Sequence, residues 1–184
     1  MNKLDKWVKR AEEGEQGFTL IELMVVVLII GILVAIAVPT FLGARNSAEN
    51  RAVESSLRNA LTASKTYYTN SNTYSGISAG SLKTLEPSLL WIDVASVAAL
   101  VSSQSSNQIM VSGGDDTNVG YFVCLEGYSP TLNYYAIADS TAGSTLYYSG
   151  TKEVCSTLSN TFPTASATSA TTGTWATTAT GAGW

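Results

Sequence analysis

Hydrophobic residues form one long block near the start of the chain. Between Phe18 and Ala44 almost every residue is apolar, and Glu22 is the only charged one. A helix of about 20 apolar residues spans a bilayer, so the stretch from Leu23 to Ala44 is long enough to cross one. The pattern predicts a hydrophobic transmembrane helix over residues 18–44.

The pattern then changes from uniformly apolar to periodic. From Ala48 apolar residues recur in steps of three and four, the spacing of one helix face. That face holds Val53, Leu57, Ala60, Leu61, Ser64 and Tyr68. We therefore expect the helix to continue over residues 45–69 as an amphipathic half that packs on a head domain.

Residues 70–155 show the pattern of a small α+β head. Residues 69–80 are rich in Asn, Ser, Thr and Gly and predict a loop. Residues 81–101 are ambiguous, and we allow a short helix near 81–86 and a further turn after Pro87. Four aromatic or β-branched segments separated by turn residues predict strands at 108–112, 119–125, 133–138 and 146–149. The expected fold is a long N-terminal α-helix packed on a small antiparallel β-sheet head.

Residues 156–184 form a low-complexity tail. This segment has no charge and is dominated by Thr, Ala, Ser and Gly. Its composition predicts a flexible or extended segment rather than a packed one. Trp175 and Trp184 argue against plain disorder because exposed tryptophan is unfavourable, so we expect them to pack on the head or on a neighbouring molecule.

Composition offers little for catalysis. The chain has no histidine, which removes the commonest general base and the commonest metal ligand. Its net charge is −4 and it has no basic patch, so the sequence shows no electrostatic sign of nucleic-acid binding. Asp115 and Asp116 are weak calcium candidates, but calcium takes about six oxygens, so an ordinary polar turn is the favoured interpretation. We expect no enzymatic activity and no cofactor.

The start of the apolar block resembles a known processing signal. Gly17 followed by Phe18-Thr19-Leu20-Ile21-Glu22 is similar to the N-terminal signature of type IV pilins and pseudopilins. The resemblance implies a prepilin leader, residues 1–17, that prepilin peptidase removes after Gly17. Phe18 would become the N-methylated first residue of the mature chain.

The same resemblance implies an assembly function for Phe18, Glu22, Gly31 and Pro39. A carboxylate at full membrane depth costs about 2.5 kcal/mol or more, so Glu22 calls for a partner. One interpretation is a plain anchor with Glu22 at headgroup level. The favoured hypothesis is that the Phe18 amine of one subunit neutralises Glu22 of its neighbour. The resemblance to pilins also implies that helical structure is lost somewhere in residues 31–39 within a filament.

Cys124 and Cys155 lie beyond the apolar block. In an exported domain such a pair is most simply a disulfide, and two buried thiols are the alternative.

These observations favour a structural subunit of a type IV pilus. The implied precursor is a single-pass protein of the inner (cytoplasmic) membrane, and the implied product is an extracellular helical homopolymer on the cell surface. The implied partners are prepilin peptidase, identical pilin subunits, the assembly platform and minor pilins. The alternatives are a pseudopilin of a type II secretion or DNA-uptake system, and an uncleaved membrane-tethered binding domain.

Overall fold

The computed structural model describes residues 17–94, 105–158, 161–164, 168–169, 173–178 and 184, so nearly all of the predicted leader lies outside it. The chain divides into two compact units, Met1–Ala44 and Arg45–Trp184. The long helix α1 (Leu20–Ser71) contributes to both and contains Pro39 in its interior.

In the first unit, the described residues belong to α1 and the three residues before it. Every residue from 17 to 44 is exposed. The apolar block is therefore helical from Leu20 onward, as predicted, and its side chains are exposed.

In the second unit, α1 packs through the predicted face. Val53, Leu57, Ala60 and Ser64 are buried. Burial of such a stripe, rather than helix propensity, is what stabilises a surface helix. A loop leads to α2 (Ala79–Leu85), which begins with a capping box between Ser78 and Ser81. The short helix predicted near 81–86 is confirmed, two residues earlier than expected.

In the part of the chain that the structure describes, the sheet has seven strands in the order β1-β2-β3-β4-β5-β7-β6. Only β1 and β2 are parallel, and the other neighbours are antiparallel. The predicted four-strand meander is β2 to β5, each strand slightly longer than expected, so the α+β class is confirmed. The strands are β1 (Leu90–Asp93), β2 (Gln108–Asp116), β3 (Gly120–Tyr128), β4 (Tyr134–Ser140), β5 (Thr145–Gly150), β6 (Thr168–Ser169) and β7 (Gly173–Ala176).

Alternation along the strands gives the sheet two buried faces. Ile109, Val111 and Leu125 face the core shared with α1. Met110, Phe122 and Cys124 face a second core that includes Trp175 and Phe162 of the C-terminal segment. A Cβ added to Gly127 would lie 2.7 Å from Val53 Cγ1, so this glycine allows α1 to approach the sheet closely.

The tail differs from its prediction. Strand β7 pairs with β5, and Phe162 and Trp175 are buried, so the interpretation of the tail as unpacked is wrong at these residues. Gly173 makes the pairing possible because a Cβ there would come within 2.3 Å of the Tyr148 ring. Trp184 packs edge-on against Tyr135 and Tyr147, which confirms the expectation that the tryptophans pack on the head.

Candidate functional site

The first turn of α1 places Glu22 in a capping arrangement. The Thr19 backbone N–H and the Thr19 hydroxyl donate to Glu22 Oε2 at 2.9 and 2.8 Å. The Glu22 backbone N–H donates to Thr19 Oγ1 at 3.2 Å. This reciprocal pair satisfies backbone donors that the first turn of a helix leaves without partners. Glu22 is thus a local helix cap while remaining exposed.

Two other predicted site residues lie directly beside this cap. Phe18 is 86% exposed, and a Cβ placed on Gly17 would have no heavy atom within 4 Å apart from those of Gly17 and its two chain neighbours. Both precede the first helical residue, Leu20. The structure therefore brings Gly17, Phe18 and Glu22 together on an open segment at the start of the apolar helix.

Gly31 and Pro39 lie further along the same helix, away from this cluster. Space around Gly31 is open. Pro39 has no N–H, so the Ala35 carbonyl lacks its usual helical donor. The Thr40 hydroxyl donates to the Ile36 carbonyl at 3.0 Å. Gly31 and Pro39 therefore lie in a stretch of α1 in which the backbone hydrogen bonding of the helix is weakened.

Within the described residues, α1 is the one helix long and apolar enough to cross a membrane. Its apolar residues before Ala44 form a continuous exposed surface. Monomeric soluble proteins rarely expose such a surface, which marks a membrane or protein contact.

The two cysteines are joined. Cys124 lies in β3 and Cys155 begins a 3₁₀ turn after β5, and they form a disulfide with a Cα–Cα distance of 5.6 Å. The prediction of a disulfide is confirmed.

A buried carboxylate beside the disulfide was not predicted. Glu126 is fully buried, and its two oxygens accept the N–H groups of Val154 at 2.9 Å and Cys155 at 3.0 Å. Burial raises the pKa of the Glu126 carboxyl to about 8, although these two hydrogen bonds act in the opposite direction. Its position two residues after Cys124 is the only sequence signal, and it does not reveal the partners.

Polar contacts also tie the outer half of α1 and the loop after it to the head, and these too were not predicted. Asp139 accepts a hydrogen bond from the Tyr74 hydroxyl at 2.5 Å, and Lys65 Nζ lies 3.6 Å from Asp139 Oδ1. Burial and the bond to Asp139 raise the pKa of Tyr74. At the other end, Asn50 Oδ1 accepts from the hydroxyls of Ser129 and Thr131, each at 2.5 Å.

The weak calcium candidates do not converge. Asp115 and Asp116 lie at the end of β2 rather than in a loop, and adjacent strand residues point to opposite faces. Asp115 is exposed, whereas Asp116 is buried and accepts the N–H groups of Asn118 at 2.7 Å and Phe162 at 2.9 Å. The ranges described hold no group of three or more His, Cys, Asp or Glu able to bind a metal.

Comparison with known proteins finds matches that include the N-terminal segment around Gly17. A family profile described as the prokaryotic N-terminal methylation motif matches residues 14–38. The type IV wide pilus major component PilA4 of Thermus thermophilus is 31% identical over 103 residues, covering 53% of this chain and 72% of that protein.

Two further relatives match mainly over a shorter region. The type IV major pilin protein PilA of Myxococcus xanthus is 41% identical over 68 residues, 37% of this chain and 31% of that protein. The type II secretion system core protein G of Escherichia coli is 42% identical over 55 residues, 28% of this chain and 38% of that protein. The chain thus matches about a third of the length of these two relatives. No solved structure gives a significant match.

Proposed function

The chain belongs to the type IV pilin family, and on that premise we propose that it is a structural subunit of a type IV pilus. The single observation that carries the proposal is the exposed, capped Glu22 at the start of a helix whose apolar side chains are also exposed. The precursor is held in the inner membrane by this helix. The product is a surface filament in which copies of the chain cover one another's helices. Its function is structural, not enzymatic.

Maturation is the first step of the proposal. Prepilin peptidase removes the leader, residues 1–17, after Gly17, and Phe18 is then N-methylated. The open position of Gly17 and Phe18 before the helix supports this, because a peptidase must bind its target in an accessible segment. Residues 18–44 then serve as the transmembrane and assembly helix, and residues 45–69 fix the head.

Charge pairing between copies is the second step. Cleavage creates an amine on Phe18, and opposite charges in apolar surroundings favour each other's ionised forms. Both bonds from Thr19 end on Glu22 Oε2, so Oε1 can accept from the Phe18 amine of a neighbour while the cap is kept. Because Oε1 and the amine belong to different copies, this contact sets their axial register. Repeated contacts that do not close into a ring produce a helical filament.

The test is Glu22→Ala in cells that make the filament. We expect the variant to be made, inserted and cleaved, while the filament yield recovered by shearing falls by about tenfold or more, equivalent to at least about 1.4 kcal/mol per contact. Glu49→Gln is the matched control, because the half-buried Glu49 pairs with the exposed Arg45 outside the apolar segment. A normal filament yield from Glu22→Ala would remove the charge-pairing mechanism.

A pseudopilin of a type II secretion or DNA-uptake system is the second candidate function. The similarity to the E. coli core protein G favours it. Mass spectrometry of sheared and envelope fractions separates the candidates. An abundant sheared pool that starts at methylated Phe18 supports the pilus, and a scarce cleaved pool kept in the envelope supports the pseudopilin. A chain still carrying its leader in the membrane supports a tethered domain.

A further inference from the structure

Glu126 connects two segments that are far apart in the sequence. It lies on β3 two residues after Cys124, so both side chains project from the same face of the sheet. Its Oε1 accepts the N–H of Val154 at 2.9 Å, and its Oε2 accepts the N–H of Cys155 at 3.0 Å. We call this pair of hydrogen bonds the Glu126 clamp. The clamp and the disulfide therefore attach the same turn to the same strand.

The turn that carries Cys155 offers this carboxyl group donors that have no other use. Residues 155–157 form a single 3₁₀ turn, and the first N–H groups of a helical turn have no acceptor within it. Within the turn, the N–H and the hydroxyl of Thr157 both donate to the Val154 carbonyl, at 3.1 and 2.7 Å. The Glu126 clamp thus satisfies donors that the turn itself leaves without partners.

Burial makes the Glu126 clamp costly to open. Glu126, Cys124 and Cys155 are each 0% exposed. A buried polar group that loses its partner costs more free energy than the hydrogen bond contributed on average. Lifting the turn from β3 would separate the carboxyl oxygens from two N–H groups at once. Because these contacts involve no sulfur atom, the clamp favours the docked position of the turn whether or not the S–S bond exists.

We propose that Glu126 positions Cys155 for disulfide formation with Cys124. In the reduced head the clamp holds the turn on β3, so the two thiols lie close together before they are oxidised. Oxidation by an external disulfide joins them in one S–S bond, while the oxidant's S–S bond breaks and takes up two electrons and two protons as two thiols. The position of this equilibrium depends on how closely the folded head holds its thiols together, which is their effective concentration. This role belongs to the head alone and requires no filament.

A second buried carboxylate separates this role from general attachment of the C-terminal segment. Asp116 accepts the N–H of Phe162 at 2.9 Å and that of Asn118 at 2.7 Å. Both partners lie outside the turn that carries Cys155. Loss of the Asp116 charge should therefore weaken the attachment of the segment without moving Cys155, which makes Asp116→Asn the matched control.

Equilibration of the full chain, in detergent, with mixtures of reduced and oxidised glutathione measures the effective concentration. Glu126→Gln keeps the size of the side chain, but an amide has one acceptor oxygen, so one N–H of the turn loses its partner. We expect the effective concentration to fall by about tenfold or more, as for loss of one hydrogen bond at a buried site. Asp116→Asn should lower the melting temperature and leave the effective concentration unchanged. No change in Glu126→Gln, or an equal fall in Asp116→Asn, would overturn the proposal.

Amide hydrogen exchange in the wild-type chain tests the clamp without any substitution, so a variant that fails to fold does not leave the question open. The oxidised chain is compared with the chain kept reduced by excess thiol. We expect the N–H groups of Val154 and Cys155 to stay protected after reduction, together with the amides through which β3 pairs with β4. Loss of protection at these two positions would show that the disulfide holds the turn, and the positioning role would be wrong. Unfolding of the whole reduced head would contradict it equally.

Discussion

Three carboxylates of this chain have different functions because their surroundings differ. Glu22 is exposed and caps a helix, Asp139 joins Tyr74 and Lys65, and Glu126 is fully buried beside the disulfide. Glu22 was predictable because it is the only charge in an apolar block. Glu126 and Asp139 were not, because their partners lie far away in sequence and become neighbours only through the strand register.

Glu126 makes the stability of the head depend on pH. Its carboxyl has a folded pKa of about 8 against an ordinary value of 4.5, so the folded protein binds this proton more tightly than the unfolded chain. The resulting stabilisation is fully present below pH 4.5 and is lost as the pH rises to about 8. At 1.36 kcal/mol per pKa unit, the loss is up to about 5 kcal/mol. Thermal unfolding of the full chain in detergent, followed by tryptophan fluorescence, should show this decline.

Glu126→Gln isolates the effect, because glutamine cannot ionise. We expect the variant to have a flatter stability profile between pH 4.5 and 8, whatever its absolute stability. Asp116→Asn is the matched control, since Asp116 is another buried carboxylate that accepts backbone N–H groups. Parallel pH profiles for wild type and Glu126→Gln would contradict the assignment.

At the scale of elements, the local sequence pattern predicts those helices and strands whose formation depends on residues close together in the chain. The meander β2 to β5 and the helix α1 follow from periodicity and turn residues, whereas α2 lies in a segment that the pattern left ambiguous. Strand β1 has only four residues and pairs in parallel with β2, across a connection of more than ten residues. Its identity as a strand depends on that distant partner, so the segment after Pro87 was ambiguous from sequence alone.

The apolar half of α1 should change its structure on assembly. In the isolated chain it is helical through Gly31 and Pro39, yet glycine and proline weaken a helix interior by about 1 and 3 kcal/mol. The uncovered Ala35 carbonyl can find other donors once neighbouring copies surround it. We therefore predict local unwinding within residues 31–39, visible in a filament density map. Pro39→Ala should retain the helix there, and continuous helical hydrogen bonds in wild-type filaments would refute the prediction.

In the head, a different segment of the chain packs on each face of the sheet, and we call each segment a cover. Helix α1 covers one face, and the other is covered by the C-terminal segment, which the disulfide, Glu126 and Asp116 attach to β3 and β2. Composition could not reveal the second cover, because a Thr- and Ala-rich segment has little apolar area of its own. Phe162 and Trp175 are the aromatic residues that it buries, and the pairing of β7 with β5 brings Trp175 to its site.

Substitution of Trp175 therefore tests whether the tail is packed or flexible. Its ring lies 5.4 Å from that of Tyr148 and is 3% exposed. Truncating a buried aromatic side chain to alanine costs about 3–5 kcal/mol, so Trp175→Ala should lower the melting temperature of the full chain by roughly 6–20 °C. Trp175→Phe, which keeps an aromatic ring against Tyr148, should recover much of that loss. If the tail were unpacked, as its composition alone indicates, both variants would melt at the wild-type temperature, and the second cover would not contribute to the stability of the head.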